Sequence, residues 1–182
     1  MFKKTDGFTL IELVVVIAII AIFSVVLVPT FRGKKERLTS KEFVAKLNGF
    51  MQTAWQRALI AQKVQQIKFN FVNKTIGIGE QMNKKEEKSK FVPVRGEYLD
   101  TEMAIPSTYV FRNFYINDKD ETRFGKRETA YFYIVPSGLT QPVIINIVNQ
   151  DEKIKEGEAE KFGLVLNPFS AQFNYYDSFQ KP

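Results

Sequence analysis

The chain contains no cysteine and no histidine. Without cysteine no intrachain disulfide can staple the fold. Without histidine, Ser-His-Asp and Cys-His nucleophilic catalysis are excluded, together with every histidine-ligated zinc site. An enzyme made from this sequence would have to use carboxylates, lysine or metal-oxygen chemistry, and no nucleophile-base pair offers itself. Charge is also missing from one long stretch, since Leu13 to Val28 carries none.

That uncharged run follows Gly7-Phe8-Thr9-Leu10-Ile11-Glu12. A helix from Phe8 to Val28 would be roughly 30 Å long, the thickness of a bilayer's hydrocarbon core. Glu12 is out of place in such a helix, because a carboxylate near the centre of a membrane span costs about 2.5 to 3.5 kcal/mol. It must lie near the interface, find a partner or be protonated. A conventional secretory signal would need a small-x-small cleavage site after the apolar core, where Phe23-Ser24-Val25-Val26-Leu27-Val28 stands instead. Polar Thr9 and Glu12 ahead of the core also argue against it. Lys3 and Lys4 place the first residues on the cytoplasmic side under the positive-inside bias, so the rest faces the other side.

The remaining chain reads as one small folded domain. Hydrophobic residues make up 45% of the 182 residues, and much of the aromatic content lies beyond residue 40, which argues against a disordered tail. The net charge of +6 is spread among acidic neighbours, as in Lys84 to Lys90 and Asp118 to Glu128, and these runs read as ordinary solvated loops. Pro29 lacks an amide proton and clashes with the preceding turn, so it predicts a kink or interruption near Leu27. Beyond it, Phe43, Leu47, Phe50, Ala54, Ala58 and Ala61 recur at helical spacing and predict an amphipathic helix laid against a core. From Val64 the period changes to two. Ile67 to Phe71 and Thr75 to Gly79 read as a hairpin about Asn73-Lys74. Further strands are expected over Phe91–Arg95, Thr108–Ile116, Tyr131–Val135, Val143–Val148, Phe162–Asn167 and Gln172–Tyr176. A helix followed by strands predicts an α+β fold, a long N-terminal helix packed on an antiparallel sheet.

Lys3-Lys4, Gly7 against Phe8, and Thr9-Leu10-Ile11-Glu12-Leu13 ahead of an Ile/Val/Ala-rich run resemble the class III leader and N-terminal helix of type IV pilins and type II secretion pseudopilins. The resemblance implies cleavage after Gly7 by a prepilin peptidase and N-methylation of Phe8. It implies that Glu12 pairs with a neighbouring subunit's terminal amine during assembly, and that Pro29 perturbs the helix. The expected organisation is a leader over residues 1–7, a transmembrane and assembly helix over 8–29, its amphipathic continuation over 30–63 and a β-rich periplasmic domain over 64–182. Expected partners are other pseudopilin subunits, the peptidase, the inner-membrane assembly platform and membrane lipid. No cofactor is implied, and the expected location is the inner membrane as a single-pass protein. Many type IV pilins close their C-terminal region with a disulfide, so the absence of cysteine favours a pseudopilin. The late order of elements, with a Val135-Pro136-Ser137-Gly138 turn and a strand pair from Phe162 to Tyr176, is similar to the H-type minor pseudopilin. It departs from that pattern in the last hairpin, where Pro168-Phe169-Ser170-Ala171 stands in place of a glycine. A minor type IV pilin of a surface pilus or a competence system shares the same N-terminal chemistry.

Two other segments raise further sites. Asn117-Asp118-Lys119-Asp120-Glu121 offers oxygen ligands of the kind calcium takes, but it lacks EF-hand glycine spacing, and Lys119 and Arg123 oppose a cation. Arg32, Lys34, Lys35 and Arg37 form a basic cluster that could meet phosphate, yet no aromatic ladder accompanies it. Nucleic acid is therefore not the expected partner.

Overall fold

The computed structural model describes residues 10–31, 39–82, 90–94, 101–122, 128–153 and 159–182, with backbone alone over 21–31 and 151–153. The chain divides into two units, Met1–Arg37 and Leu38–Pro182.

The first unit contains helix α1, Leu10–Phe31. Its described helical run continues through Pro29 to Phe31, so the interruption expected near Leu27 does not occur there. Among the described residues no helix is long and apolar enough to cross a membrane. Side chains of α1 are described only through Ile20, roughly 16 Å of helix and about half of a hydrocarbon core. Described side chains therefore cover only about half of the span expected over 8–29.

The second unit begins with helix α2, Ser40–Ala61. Its start is fixed by a capping box. The Thr39 hydroxyl accepts from the Glu42 amide at 3.3 Å, and the Glu42 carboxylate accepts from the Thr39 amide at 2.9 Å. This satisfies two of the orphan donors of a helix N-terminus. The Thr39 backbone amide chiefly, with the Thr39 side chain, holds the Glu42 carboxyl below its ordinary value. The expected apolar stripe is buried at Phe43, Leu47, Phe50, Ala54 and Ala58, joined by Val44 and Met51. Ala61 is exposed, because the helix ends there and the chain turns away at Gln62, which adopts a left-handed backbone. The amphipathic segment expected over 30–63 is thus helical from Ser40, and residues 32–38 lie outside the described residues.

Among the described residues ten strands follow: β1 Gln65–Asn70, β2 Thr75–Gln81, β3 Phe91–Pro93, β4 Glu102–Ala104, β5 Tyr109–Ile116, β6 Lys119–Asp120, β7 Thr129–Ile134, β8 Val143–Lys153, β9 Ala159–Asn167 and β10 Gln172–Tyr176. They form two five-stranded antiparallel sheets. The first has the order β3-β2-β1-β7, with β4 sharing the outer edge of β2. The second runs β10-β9-β8-β5-β6. Helix α2 packs on β1 and β7 of the first sheet and on β10 of the second. The alternation read from Ile67, Phe69, Ile76 and Ile78 is real, and all four lie in the core. Aromatic rings join the sheets: Phe69 of β1 meets Phe114 of β5 edge-on at 5.0 Å, and Phe132 of β7 meets Phe173 of β10 at 6.5 Å. Phe43 of α2 meets Tyr109 at 5.0 Å, and Tyr109 meets Phe162.

The edge of β10 is closed by one side chain. Asn48 of α2 donates to the Phe173 carbonyl at 3.0 Å and accepts from the Phe173 amide at 2.7 Å, so it takes the place of a neighbouring strand. Buried Asn146 of β8 plays the same part for the C-terminal tail. It donates to the Gln180 carbonyl and accepts from the Gln180 amide, each at 2.9 Å. The tail passes so close to Gly163 that a Cβ there would lie 2.6 Å from the Ser178 carbonyl oxygen. In a chain without cysteine, paired amide bonds fasten the C-terminus.

Candidate functional site

Along α1, every residue from Leu10 to Ile20 is exposed within the chain. Leu10 is 86% exposed, Ile11 72% and Ile20 58%. Because residues at all spacings of the wheel are apolar, no face is set aside for water, unlike the striped α2. Each large side chain gains about 1.5 to 3 kcal/mol when taken out of water. A helix of this kind requires an apolar surrounding, either lipid or other helices.

Glu12 lies in the first turn of α1 and is the acidic residue of that turn. Its side chain is exposed within the chain. Gly7 and Phe8, the expected cleavage and methylation pair, lie outside the described residues, as does the basic cluster at 32–37. Pro29 lies within α1, where only backbone is described. The four residues are therefore not brought together in a single described site.

The acidic run at 117–121 is a hairpin. Asn117 and Asp118 both take left-handed backbone, φ 48° and 65°, and Ile116 pairs with Lys119 across them. This is the two-residue loop that Asn and Asp favour. Asp120 points inward and accepts from Thr122 Oγ1 at 2.6 Å, Asn113 Nδ2 at 2.8 Å, the Thr122 amide at 3.0 Å and the Phe114 amide at 3.3 Å. Burial raises its carboxyl pKa, but these four donors outweigh burial and hold the group below its ordinary value. Its lone pairs are committed to the fold. Among the described residues no cluster of three or more metal-ligating side chains occurs.

Sequence reasoning missed a polar cluster under the start of α2. The Glu160 carboxylate accepts from the Ser40 hydroxyl at 2.6 Å, from Asn149 Nδ2 at 3.2 Å and from the Tyr175 hydroxyl at 3.2 Å. Tyr109 donates to Ser40 Oγ at 3.3 Å. Burial, then the Glu160 and Asp177 charges, pushes the Tyr175 hydroxyl well above its ordinary pKa. The cluster joins α2 to β5, β8, β9 and β10. Ser40 and Glu160 alone lie 120 positions apart in sequence, so no local pattern announces it.

Residues 2–28 match the prokaryotic N-terminal methylation motif. No curated protein is detectably similar in sequence. Among solved structures, the minor pseudopilin EpsH from the type 2 secretion system of Vibrio cholerae is similar in two determinations. One has 6% identity and a TM-score of 0.52, covering 75% of this chain and 95% of that one. The other has 9% identity and a TM-score of 0.51, covering 76% and 93%. The chain thus combines a prepilin-type N-terminal motif with a pilin-like α+β fold of antiparallel sheets.

Proposed function

We infer that this chain, with a prepilin-type N-terminus ahead of a pseudopilin-like domain, is a non-enzymatic minor subunit of a bacterial type II secretion pseudopilus. In this reading residues 1–7 are the leader, and prepilin peptidase cuts between Gly7 and Phe8 and methylates Phe8. Residues 8–29 are stored in the inner membrane and later form the assembly helix. Residues 30–63 carry the helix on to the domain, and 64–182 form the periplasmic part. Other pseudopilin subunits, the assembly platform and lipid are the partners.

The observation that carries the reading is the coexistence, in one chain, of the 2–28 motif and a domain that covers nearly all of EpsH. The apolar circumference of α1 supports it, because such a helix is stable both in lipid and against like helices. Glu12 supplies the specificity. In an apolar bundle a carboxylate is tolerated when it meets a cation, and the free amine of a cut Phe8 on a neighbouring subunit is the partner of opposite sign.

The test is Glu12→Ala, expressed with the peptidase and the remaining pseudopilins. The expected product is cleaved at Gly7/Phe8 like the parent but is not recovered in sheared or cross-linked filaments. Normal incorporation of the variant removes the role of Glu12. Loss of exoprotein export on deletion of the chain, with surface motility and transformation intact, supports secretion; the converse assigns it to a pilus or competence system.

A further inference from the structure

In the second sheet, Ile145, Ile147, Phe162 and Leu164 turn into the core, so their neighbours along the strands turn outward. On that outer face Asn113 of β5, Asn146 of β8, Gly163 of β9 and Tyr176 of β10 lie side by side in register. After Tyr176 the chain bends at Asp177 and Ser178 and lies over Gly163 and Asn146. Asn146 is only 2% exposed, and both of its bonds to this tail go to the main chain of Gln180, each at 2.9 Å. The Gln180 side chain turns back instead to the Ser178 carbonyl at 3.0 Å and hydroxyl at 3.2 Å. At Gly163 a Cβ would lie 2.6 Å from the Ser178 carbonyl oxygen and 2.8 Å from Gln180 Cγ. The seat is thus made by a buried amide at 146 and a missing side chain at 163, and it holds a peptide main chain.

We propose that this row is a docking groove for a peptide main chain, closed in cis by residues 178–182 and closed in trans by the same residues of a second copy. The occupant is the segment already seated there, which every copy of the chain carries in the same register. The cis attachment is thin, because Ser178, Phe179, Lys181 and Pro182 are all exposed, Phe179 by 39%. Segments held by so few buried contacts open at a free energy well below that of global unfolding. Exchange of such a segment between copies keeps each contact and alters only the bend at Asp177 and Ser178. A short linker holds the cis tail at an effective concentration on the order of millimolar. Dilute chains therefore stay closed on themselves, and exchange sets in where copies are crowded to that level. The inference does not rest on the filament assignment.

The test mixes two full-length variants in detergent at about 1 mM, the level at which trans closure competes. The donor carries Asn146→Leu, which frees its tail, and a spin label at Lys181→Cys, a unique thiol in a chain without cysteine. The isotope-labelled receiver carries Gln180→Pro, which removes the amide that its own tail gives to Asn146 and leaves its seat intact. The proposal expects loss of the receiver's Asn146 side-chain and Gly163 amide signals beyond the rest of its domain. Adding Gly163→Val to the receiver, which fills the seat, should restore the Asn146 signal. In the parent, the Gln180 amide should exchange with solvent faster than the β8 amides. Receiver signals that are spared, or lost equally with Gly163→Val, overturn the proposal. So does a parent Gln180 amide that exchanges only as slowly as the β8 amides, since the tail would then not open apart from the domain.

Discussion

At Gly138 the backbone takes φ +85°, and a Cβ there would lie 2.9 Å from Trp55 Nε1. The same indole nitrogen donates to the Gly138 carbonyl at 2.9 Å. Glycine is thus required twice, for the left-handed turn and for the close approach of α2. Gly138→Ala should destabilise the domain by about 1 to 3 kcal/mol. Trp55 is the chain's single tryptophan, so its emission reports the loss directly, and an unshifted unfolding midpoint would contradict the account. Asn146 acts through its amide. Replacing it with leucine keeps bulk but strands the amide and carbonyl of Gln180, a loss of about 1 to 3 kcal/mol for buried polar groups left unmade. The expected signature is rapid protease trimming of the C-terminal tail; a tail as resistant as the parent's would show that the clamp is dispensable.

At the scale of elements, α2 and the strands with clean alternation were readable because each buries one face and the period shows it. Gln172 to Tyr176 is β10 as expected, and Ile67 to Phe71 differs from β1 by an end residue or two. The short β4 and β6 carry too few residues for alternation to register. Asn117 to Glu121 offers oxygen ligands by composition because a two-residue turn and an inward carboxylate share residue types with a metal loop. The division of the strands into two sheets depends on contacts between distant residues, such as Phe69 with Phe114. What the sequence could not disclose is how α2 fastens those sheets. Asn48→Ala should loosen the β10 edge, with faster amide exchange at Phe173 and a loss of about 1 to 3 kcal/mol. On the other sheet, Glu80 of β2 accepts from Lys63 at 2.7 Å and from Arg57 of α2 at 2.9 Å. The Lys63 bond chiefly, against burial and with help from Arg57 and Gln65, holds the Glu80 carboxyl below its ordinary 4.5. The stabilisation is complete above that value and is lost as pH falls through the lower folded-state value. It amounts to about 1 kcal/mol, since all three side chains are partly solvated. Glu80→Gln should therefore lower the melting temperature at neutral pH and flatten its decline in acid. An unchanged acid limb would mean that the pair contributes nothing.

On the scale of the whole molecule, two units carry two kinds of chemistry. The domain from Leu38 onward has its own core, capped helix and fastened C-terminus, and needs no staple from cysteine. Over its described side chains, Leu10 to Ile20, the N-terminal helix sets no face aside for water, and that apolar surface is stable only against lipid or other helices. The motif at 2–28 was fully visible in the sequence because it is a local string of residue types. Glu12 was visible for the same reason. The account stands or falls on what happens to the N-terminal arm. The most direct measurement is the intact mass of the membrane-extracted protein after co-expression with prepilin peptidase. The account predicts loss of residues 1–7 and one added methyl on Phe8. Retention of Met1, or a cut at any other bond, would contradict it.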